Sequence, residues 1–139
     1  MSLSIRNQLP GTVTSVTPGE VMATVKVRLD AGQEITAAVT LEAVQELGLT
    51  PGSAVRALIK STEVSLATGP VDGLSIRNQL PGTVTDVASG GAMARVKVRV
   101  AGGELTSAIT GDAVSDLGLS AGSEVVALIK STEVSLANA

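Results

Sequence analysis

The chain of 139 residues contains no cysteine, no histidine and no phenylalanine, tyrosine or tryptophan. Without cysteine it can form no disulfide, no thiolate metal site and no cysteine nucleophile. Without histidine it lacks the usual proton shuttle, the commonest transition-metal ligand and the base of a Ser-His-Asp triad. We therefore expect a protein that is not an enzyme and that carries no cofactor.

The missing aromatic residues also bear on the choice of partner. Small β-barrel proteins that bind nucleic acids need stacking aromatics and a basic groove, whereas the net charge of this chain is −3. No stretch approaches the roughly 18 apolar residues of a membrane span, and the beginning of the sequence lacks a charged leader followed by an apolar run. We expect a soluble, cytoplasmic protein with neither nucleic acid nor membrane as a partner.

The sequence consists of two copies of one module. The block LSIRNQLPGTVT at 3–14 returns at 74–85, and IKSTEVSLA at 59–67 returns at 129–137. The two copies of the second block are one residue closer together than the two copies of the first. We assign the missing residue to a surface turn, which reads DAGQE at 30–34 and AGGE at 101–104. We predict a first domain at 1–68, a linker at 69–73 and a second domain at 74–139.

Each copy reads as a β-rich module with one helix. The clearest strand is 21–29, where apolar and polar residues alternate; further strands are predicted at 3–16, 34–39, 54–59 and 64–67. Helices are predicted at Leu41–Leu47 and Gly111–Leu117, because Thr and Gly stand in the capping positions at either end. The pattern indicates a mainly β fold of two tandem OB-like small barrels, each with one short helix. Modules of about 65 residues are marginal alone, so partners are expected.

The motif SIRN, repeated in both copies, is the first candidate site. If the stretch is extended, Ser4 and Arg6 point to one face and present a hydroxyl beside a guanidinium, which suits a tetrahedral oxyanion. The alternative is an ordinary edge strand whose Arg6 pairs with a surface carboxylate. Ser75 and Arg77 repeat the arrangement.

Two further candidates supply positive charge or free N–H groups. At Lys60-Ser61 an apolar strand ends in a cation and hydroxyls, or alternatively in a solvated turn. The helix start at Thr40 offers backbone N–H groups, although Glu42 in the first turn favours simple capping. Arg6 and Lys60 together match the charge of a dianion, and a set of donors without acceptors favours molybdate, tungstate or sulfate over protonated phosphate.

These blocks resemble the Mop family of molybdate-binding proteins, specifically its two-copy members. The resemblance rests on S-x-R-N-Q-L-x-G-x-V, on A-V-T or A-I-T before a short helix and L-G-L, and on V-x-A-L-I-K-S-T-E-V, each present twice and in order. It implies Mop/TOBE-type domains, a homotrimer and anions bound at interfaces between subunits. The ligands it implies are Ser4, Arg6, Lys60 and Ser61 with Thr40 and Ala43 of a neighbour, and Ser75, Arg77, Lys130 and Ser131 with Thr110 and Ala113; Asn7 and Asn78 are possible additional ligands.

The function implied by the resemblance is binding of molybdate, and of tungstate, for intracellular molybdenum storage and homeostasis. One alternative is a molybdate-sensing effector or accessory domain of a regulator or transporter, but the sequence has neither a preceding helix-turn-helix nor a phosphate-binding loop motif. Another is a trimeric scaffold without a ligand. Arg95 stands where the first copy has Thr24, a difference that leaves the equivalence of the two halves open.

Overall fold

The computed structural model describes residues 2–139, and each repeat contains five strands and one α-helix. In the first repeat these are β1 (Asn7–Pro18), β2 (Met22–Leu29), β3 (Glu34–Thr40), α1 (Leu41–Leu47), β4 (Ala54–Ile59) and β5 (Ser65–Ala67). In the second they are β6 (Asn78–Ser89), β7 (Met93–Val100), β8 (Gly103–Thr110), α2 (Gly111–Leu117), β9 (Glu124–Ile129) and β10 (Ser135–Asn138). A 3-10 turn, Ser61–Glu63 or Ser131–Glu133, precedes the last strand of each repeat. The expected mainly β fold with one short helix per repeat is confirmed.

Strand β2 shows why the alternating sequence forms a strand with one buried face. Its residues are exposed and buried in strict alternation, and the buried set is Ala23, Val25, Val27 and Leu29. The outer face carries Met22, Thr24, Lys26 and Arg28. Val21, predicted as part of this strand, lies before it and is 72% exposed.

Both helices begin and end where the capping residues predict. The Thr40 hydroxyl accepts a hydrogen bond from the N–H of Ala43 at 3.1 Å, and Gly48 closes the helix with φ of 64°. Thr110 and Gly118 do the same for α2. The left-handed conformation at the C-terminal cap is open to glycine without steric cost.

The two sheets exchange their last strands. The first sheet has the strand order β10-β4-β1-β2-β3 and the second β5-β9-β6-β7-β8. Thus Leu136 of the second repeat lies opposite Ala57, and Leu66 of the first repeat lies opposite Ala127. Each sheet therefore contains four strands of one repeat and the last strand of the other, and the buried apolar residues of both form one cluster.

The prediction of a strand over 3–16 is wrong at its beginning. Strand β1 starts at Asn7, whose partner in β4 is Ile59, the last residue of that strand. Beyond Ile59 the chain turns at Lys60, so residues 3–6 have no neighbouring strand with which to pair. The SIR segment consequently lies just outside the sheet, beside the end of β4.

Candidate functional site

The residues before β1 and those after β4 line one open cleft of about 320 Å3. The register between these strands brings the two segments together, because Asn7 lies opposite Ile59 and both strands end there. Four of the predicted ligands thus share one site, which would not follow from their separation in sequence. The residues lining the cleft are Ser4, Ile5, Arg6, Lys60, Ser61 and Thr62.

Ser61 lines this cleft, and its hydroxyl is buried and has no hydrogen-bond partner. The chain leaves β4 at Lys60 and tightens into the 3-10 turn, where the N–H of Glu63 donates to the carbonyl of Lys60 at 2.9 Å. The sequence-based alternative of a solvated turn agrees with the exposed Lys60 but not with the buried hydroxyl of Ser61. A buried polar group without a partner costs about 1–3 kcal/mol, which a ligand that accepts its hydrogen bond would recover.

Arg6 is held by its own main chain rather than by a carboxylate. Its Nε donates to the carbonyl of Ser4 at 3.1 Å and its Nη2 to the carbonyl of Leu3 at 3.2 Å. Within residues 2–139 the only ion pairs are Arg95 with Asp86 and Lys97 with Glu104, so the predicted alternative of a carboxylate partner for Arg6 is wrong. The guanidinium charge stays uncompensated beside the exposed Lys60.

The second repeat reproduces this local arrangement. Arg77 donates to the carbonyls of Ser75 and Leu74, both at 3.2 Å. The Ser131 hydroxyl is buried and has no partner, as in Ser61. Lys130 directly follows β9, as Lys60 follows β4, and is exposed.

Asn7 and Asn78 are buried and fully engaged in contacts between the repeats. The Asn7 carboxamide donates to the carbonyl of Thr106 at 2.9 Å and accepts from its N–H at 2.8 Å. Asn78 makes the same pair of bonds with Thr36, at 2.9 and 2.8 Å. Each carboxamide thus occupies the hydrogen-bonding position of a strand neighbour and fixes the residue next to Arg6 or Arg77.

Thr40 lies in a different cleft of the same chain. That cleft, of about 390 Å3, is lined by Glu20, Val21, Thr40, Leu41, Glu42 and Gln45. The nearby Ala43 uses its N–H to cap the helix on Thr40, and Ala113 caps on Thr110 in the same way. The chain does not bring the helix starts into the cleft of Arg6 and Lys60.

Sequence reasoning missed one residue beside the site, Ser107. It is fully buried in β8, and its Oγ donates to the carbonyl of Val64, three residues after Ser61, at 2.6 Å. The first repeat has Ala37 at the corresponding position of β3. The sequence carried one signal for this residue: the first repeat reads A-A-V-T where the second reads S-A-I-T, with a serine in place of the first alanine.

Two classes of site or segment are not found in residues 2–139. No group of three or more His, Cys, Asp and Glu side chains is placed to hold a bare metal ion. No helix in that range is long and apolar enough to cross a membrane. The donors in the cleft are hydroxyls and cations, which suit an anion and not a cation.

A family model for the TOBE domain matches the chain twice, over residues 3–66 and 74–136. The chain is a member of the TOBE domain family. Each match begins at the SIRN segment and extends through the Lys-Ser turn, so both halves of the cleft fall within one domain match. The expected Mop/TOBE-type tandem architecture is thereby confirmed.

The whole TOBE pair resembles a solved protein over its full length. A crystal structure of the cytoplasmic molybdate-binding protein ModG with molybdate bound is 39% identical, has a TM-score of 0.97 and covers 100% of both chains. The molybdenum transport protein ModE of Azotobacter vinelandii is 40% identical over 99% of this chain, and the molybdenum-pterin-binding protein MopB of Rhodobacter capsulatus is 40% identical over 96%. The chain spans about half the length of these curated relatives, 51% of ModE and 50% of MopB.

Proposed function

We propose that the chain binds molybdate at two sites, one at the corresponding position of each repeat. Ser4, Arg6, Lys60 and Ser61 form the core of one site, and Ser75, Arg77, Lys130 and Ser131 form the other. The observation that carries the proposal is the partnerless buried hydroxyl of Ser61 in a cleft that also contains Arg6 and Lys60. No carboxylate pairs with either cation within residues 2–139.

Charge and hydrogen-bonding capacity both favour a fully deprotonated dianion. Removing a dianion from water is costly unless opposite charges and donors replace its hydration shell. Arg6 and Lys60 supply two positive charges, and the Ser61 hydroxyl supplies a donor. Because the guanidinium and ammonium groups can only donate, an anion that itself carries a proton would find few acceptors for that proton among these groups. Molybdate and tungstate meet this condition, and the same donor set should bind both.

The similarity to ModG supports molybdate as the first ligand to test. ModG is a molybdate-binding protein that matches this chain from end to end, and the relatives MopB and ModE are named for molybdenum. We propose that this protein likewise acts in the cytoplasm, stores molybdenum and supports its homeostasis without catalysing a reaction. The proposed function involves neither a nucleic acid nor a membrane as a binding partner.

We further propose that neighbouring chains complete each site in a homotrimer. Thr40 and Ala43 would approach the cleft of another chain's Arg6, and Thr110 with Ala113 would do so for the second site. The helix start is exposed, and Val21 next to it leaves 72% of its surface uncovered. A second chain seated there would cover this apolar residue and would deliver the Thr40 region to a cleft that its own chain does not reach.

A molybdate-sensing effector domain is the second candidate, and the match to ModE favours it. The repeat pair aligns with about half of ModE. Such a partial match is expected where the pair forms one domain of a larger protein. The similarity to ModG, a cytoplasmic molybdate-binding protein, supports the carrier. Both candidates require the same oxyanion site; a ligand-free scaffold does not.

Calorimetric titration with molybdate, tungstate, sulfate and phosphate tests the proposal. The variant with Arg6→Ala and Arg77→Ala should lose at least tenfold in molybdate affinity, whereas Arg28→Ala with Arg99→Ala, which changes two exposed arginines of β2 and β7, should bind as the unaltered chain does. If neither molybdate nor tungstate gives a heat of binding, the proposal that the protein carries molybdate is refuted. Light scattering should give a mass of three chains, and a stable monomer would refute the shared site.

A further inference from the structure

We propose that Ser107 is a positioning residue that makes the two oxyanion sites of one chain unequal. The inference rests on the proposed function, because it concerns the same sites. It assigns a role to a residue that does not line the cleft and that lies in the other repeat. The first site, built around Arg6 and Lys60, is predicted to be the tighter one.

The Ser107 hydroxyl fixes the end of the turn that carries Ser61. Its Oγ donates to the carbonyl of Val64 at 2.6 Å, and Ser107 has no exposed surface. The N–H of Val64 in turn donates to the carbonyl of Ser61 at 3.4 Å, a longer bond than the one of 2.9 Å from Glu63 to Lys60 that closes the start of the turn. The buried bond from Ser107 therefore adds a constraint from outside at the end of the turn that contains Ser61.

The other segment of the first site is anchored on the adjacent residue of β8. Asn7 follows Arg6 directly, and its carboxamide makes two hydrogen bonds with the main chain of Thr106. Thr106 and Ser107 thus hold the two sides of one cleft. Because both belong to the same strand, they fix the distance between Arg6 and Ser61.

The second site retains only one of these two anchors. Asn78 bonds to the main chain of Thr36 as Asn7 does to Thr106. Next to Thr36 stands Ala37, which is as buried as Ser107 but has no hydroxyl to offer the 3-10 turn of Ser131. The IKSTEVSLA sequence around that turn is identical in the two repeats, so the difference in anchoring comes from β3 and β8 alone.

Fixing one wall of a binding site before the ligand arrives lowers the ordering cost of binding. A single buried hydrogen bond contributes about 0.5–1.5 kcal/mol, which corresponds to roughly two- to tenfold in affinity. The first site is therefore expected to bind molybdate more tightly by that factor. A titration of the unaltered chain should resolve two classes of site in equal number.

Single-site backgrounds separate a positioning role from a general effect on stability. Arg77→Ala leaves the first site to report, and Arg6→Ala leaves the second. Adding Ser107→Ala should weaken molybdate binding two- to tenfold in the Arg77→Ala background and leave it unchanged, within the error of the titration, in the Arg6→Ala background. A residue that merely stabilised the fold would affect both backgrounds alike.

The reciprocal substitution is expected to raise molybdate affinity, a result that partial unfolding of a variant cannot produce. Ala37→Ser places a hydroxyl opposite the second 3-10 turn, and it should strengthen binding in the Arg6→Ala background while leaving the Arg77→Ala background unchanged. Equal changes in both backgrounds, or no change in either for both substitutions, would overturn the inference. If the unaltered chain binds no molybdate at all, the proposed function fails first, and that titration is done before the variants are compared.

Discussion

Asn78 forms two hydrogen bonds with the main chain of Thr36, donating from Nδ2 at 2.9 Å and accepting at Oδ1 at 2.8 Å. The same relationship joins Asn7 to Thr106 in the opposite direction. Each buried carboxamide therefore joins one repeat to the third strand of the other. These contacts place the oxyanion segments, because each Asn directly follows a site arginine.

Asn78→Ala should destabilise the protein by about 2–4 kcal/mol, because the N–H and carbonyl of the partly buried Thr36 would both lose their partner. Asn78→Asp should also destabilise, because a carboxylate keeps the acceptor but loses the donor. Urea denaturation followed by far-ultraviolet circular dichroism measures the change. The matched control is Asn138→Ala, which changes an exposed residue of β10 and should cost less than about 0.5 kcal/mol. Equal losses of stability in the two variants would contradict the stabilising role of the Asn78–Thr36 hydrogen bonds.

Gly11→Ala should destabilise through a close approach between β1 and β2. A Cβ at this position would lie 2.6 Å from the carbonyl oxygen of Arg28 and 2.8 Å from Cγ1 of Val27. Crowding of this kind in a packed sheet costs about 1–3 kcal/mol. Thermal unfolding of Gly103→Ala gives the comparison, because a Cβ there meets nothing within 4 Å and the substitution should be neutral or slightly stabilising.

Thr40→Ala should lower stability by about 1 kcal/mol, because the Ala43 N–H would lose its cap. If the helix start also completes a neighbouring chain's site, molybdate affinity should fall as well. Thr40→Ser keeps the hydroxyl and should preserve both properties. A loss of stability with unchanged affinity would confine Thr40 to capping and remove it from the proposed site.

Leu136→Ala should weaken the first sheet although the residue belongs to the second repeat. Leu136 packs against the core and lies opposite Ala57 in β4. Losing part of a half-buried leucine costs about 1–2 kcal/mol, so amide exchange of residues 55–58 should accelerate roughly tenfold. Leu66→Ala is the mirror control and should accelerate amide exchange of residues 126–128 instead. Acceleration within the variant's own repeat would contradict the exchange of strands.

Local signals in the sequence were enough to predict the helices and the central strands. Thr40 and Gly48 cap α1 as expected, because capping depends only on neighbours within one turn. The alternation of β2 likewise reflects a single buried face. The cleft that joins Arg6 to Lys60 was anticipated from charge, and the register of β1 with β4 supplies its geometry.

Contacts between distant parts of the chain could not be predicted from local patterns. The strands at Leu66 and Leu136 have the same sequence, so nothing in either indicates that it joins the other repeat's sheet. The resemblance implied Asn7 as a possible additional ligand, but nothing in the local sequence indicates that its hydrogen-bond partner, Thr106, lies 99 residues away. The strand at Asn7 starts later than predicted because β4, its neighbour, ends at Ile59.

The reciprocal exchange of β5 and β10 has a consequence for how such a chain can evolve. Neither repeat could be deleted without removing an edge strand from its sister, so the pair is inherited as a unit. Joining the halves also keeps each strand at a high effective concentration near its acceptor sheet. Two identical separate chains related by symmetry must change together, whereas fused halves can diverge singly. Ser107 in the second repeat, where the first repeat has Ala37, is one such divergence at a fully buried position.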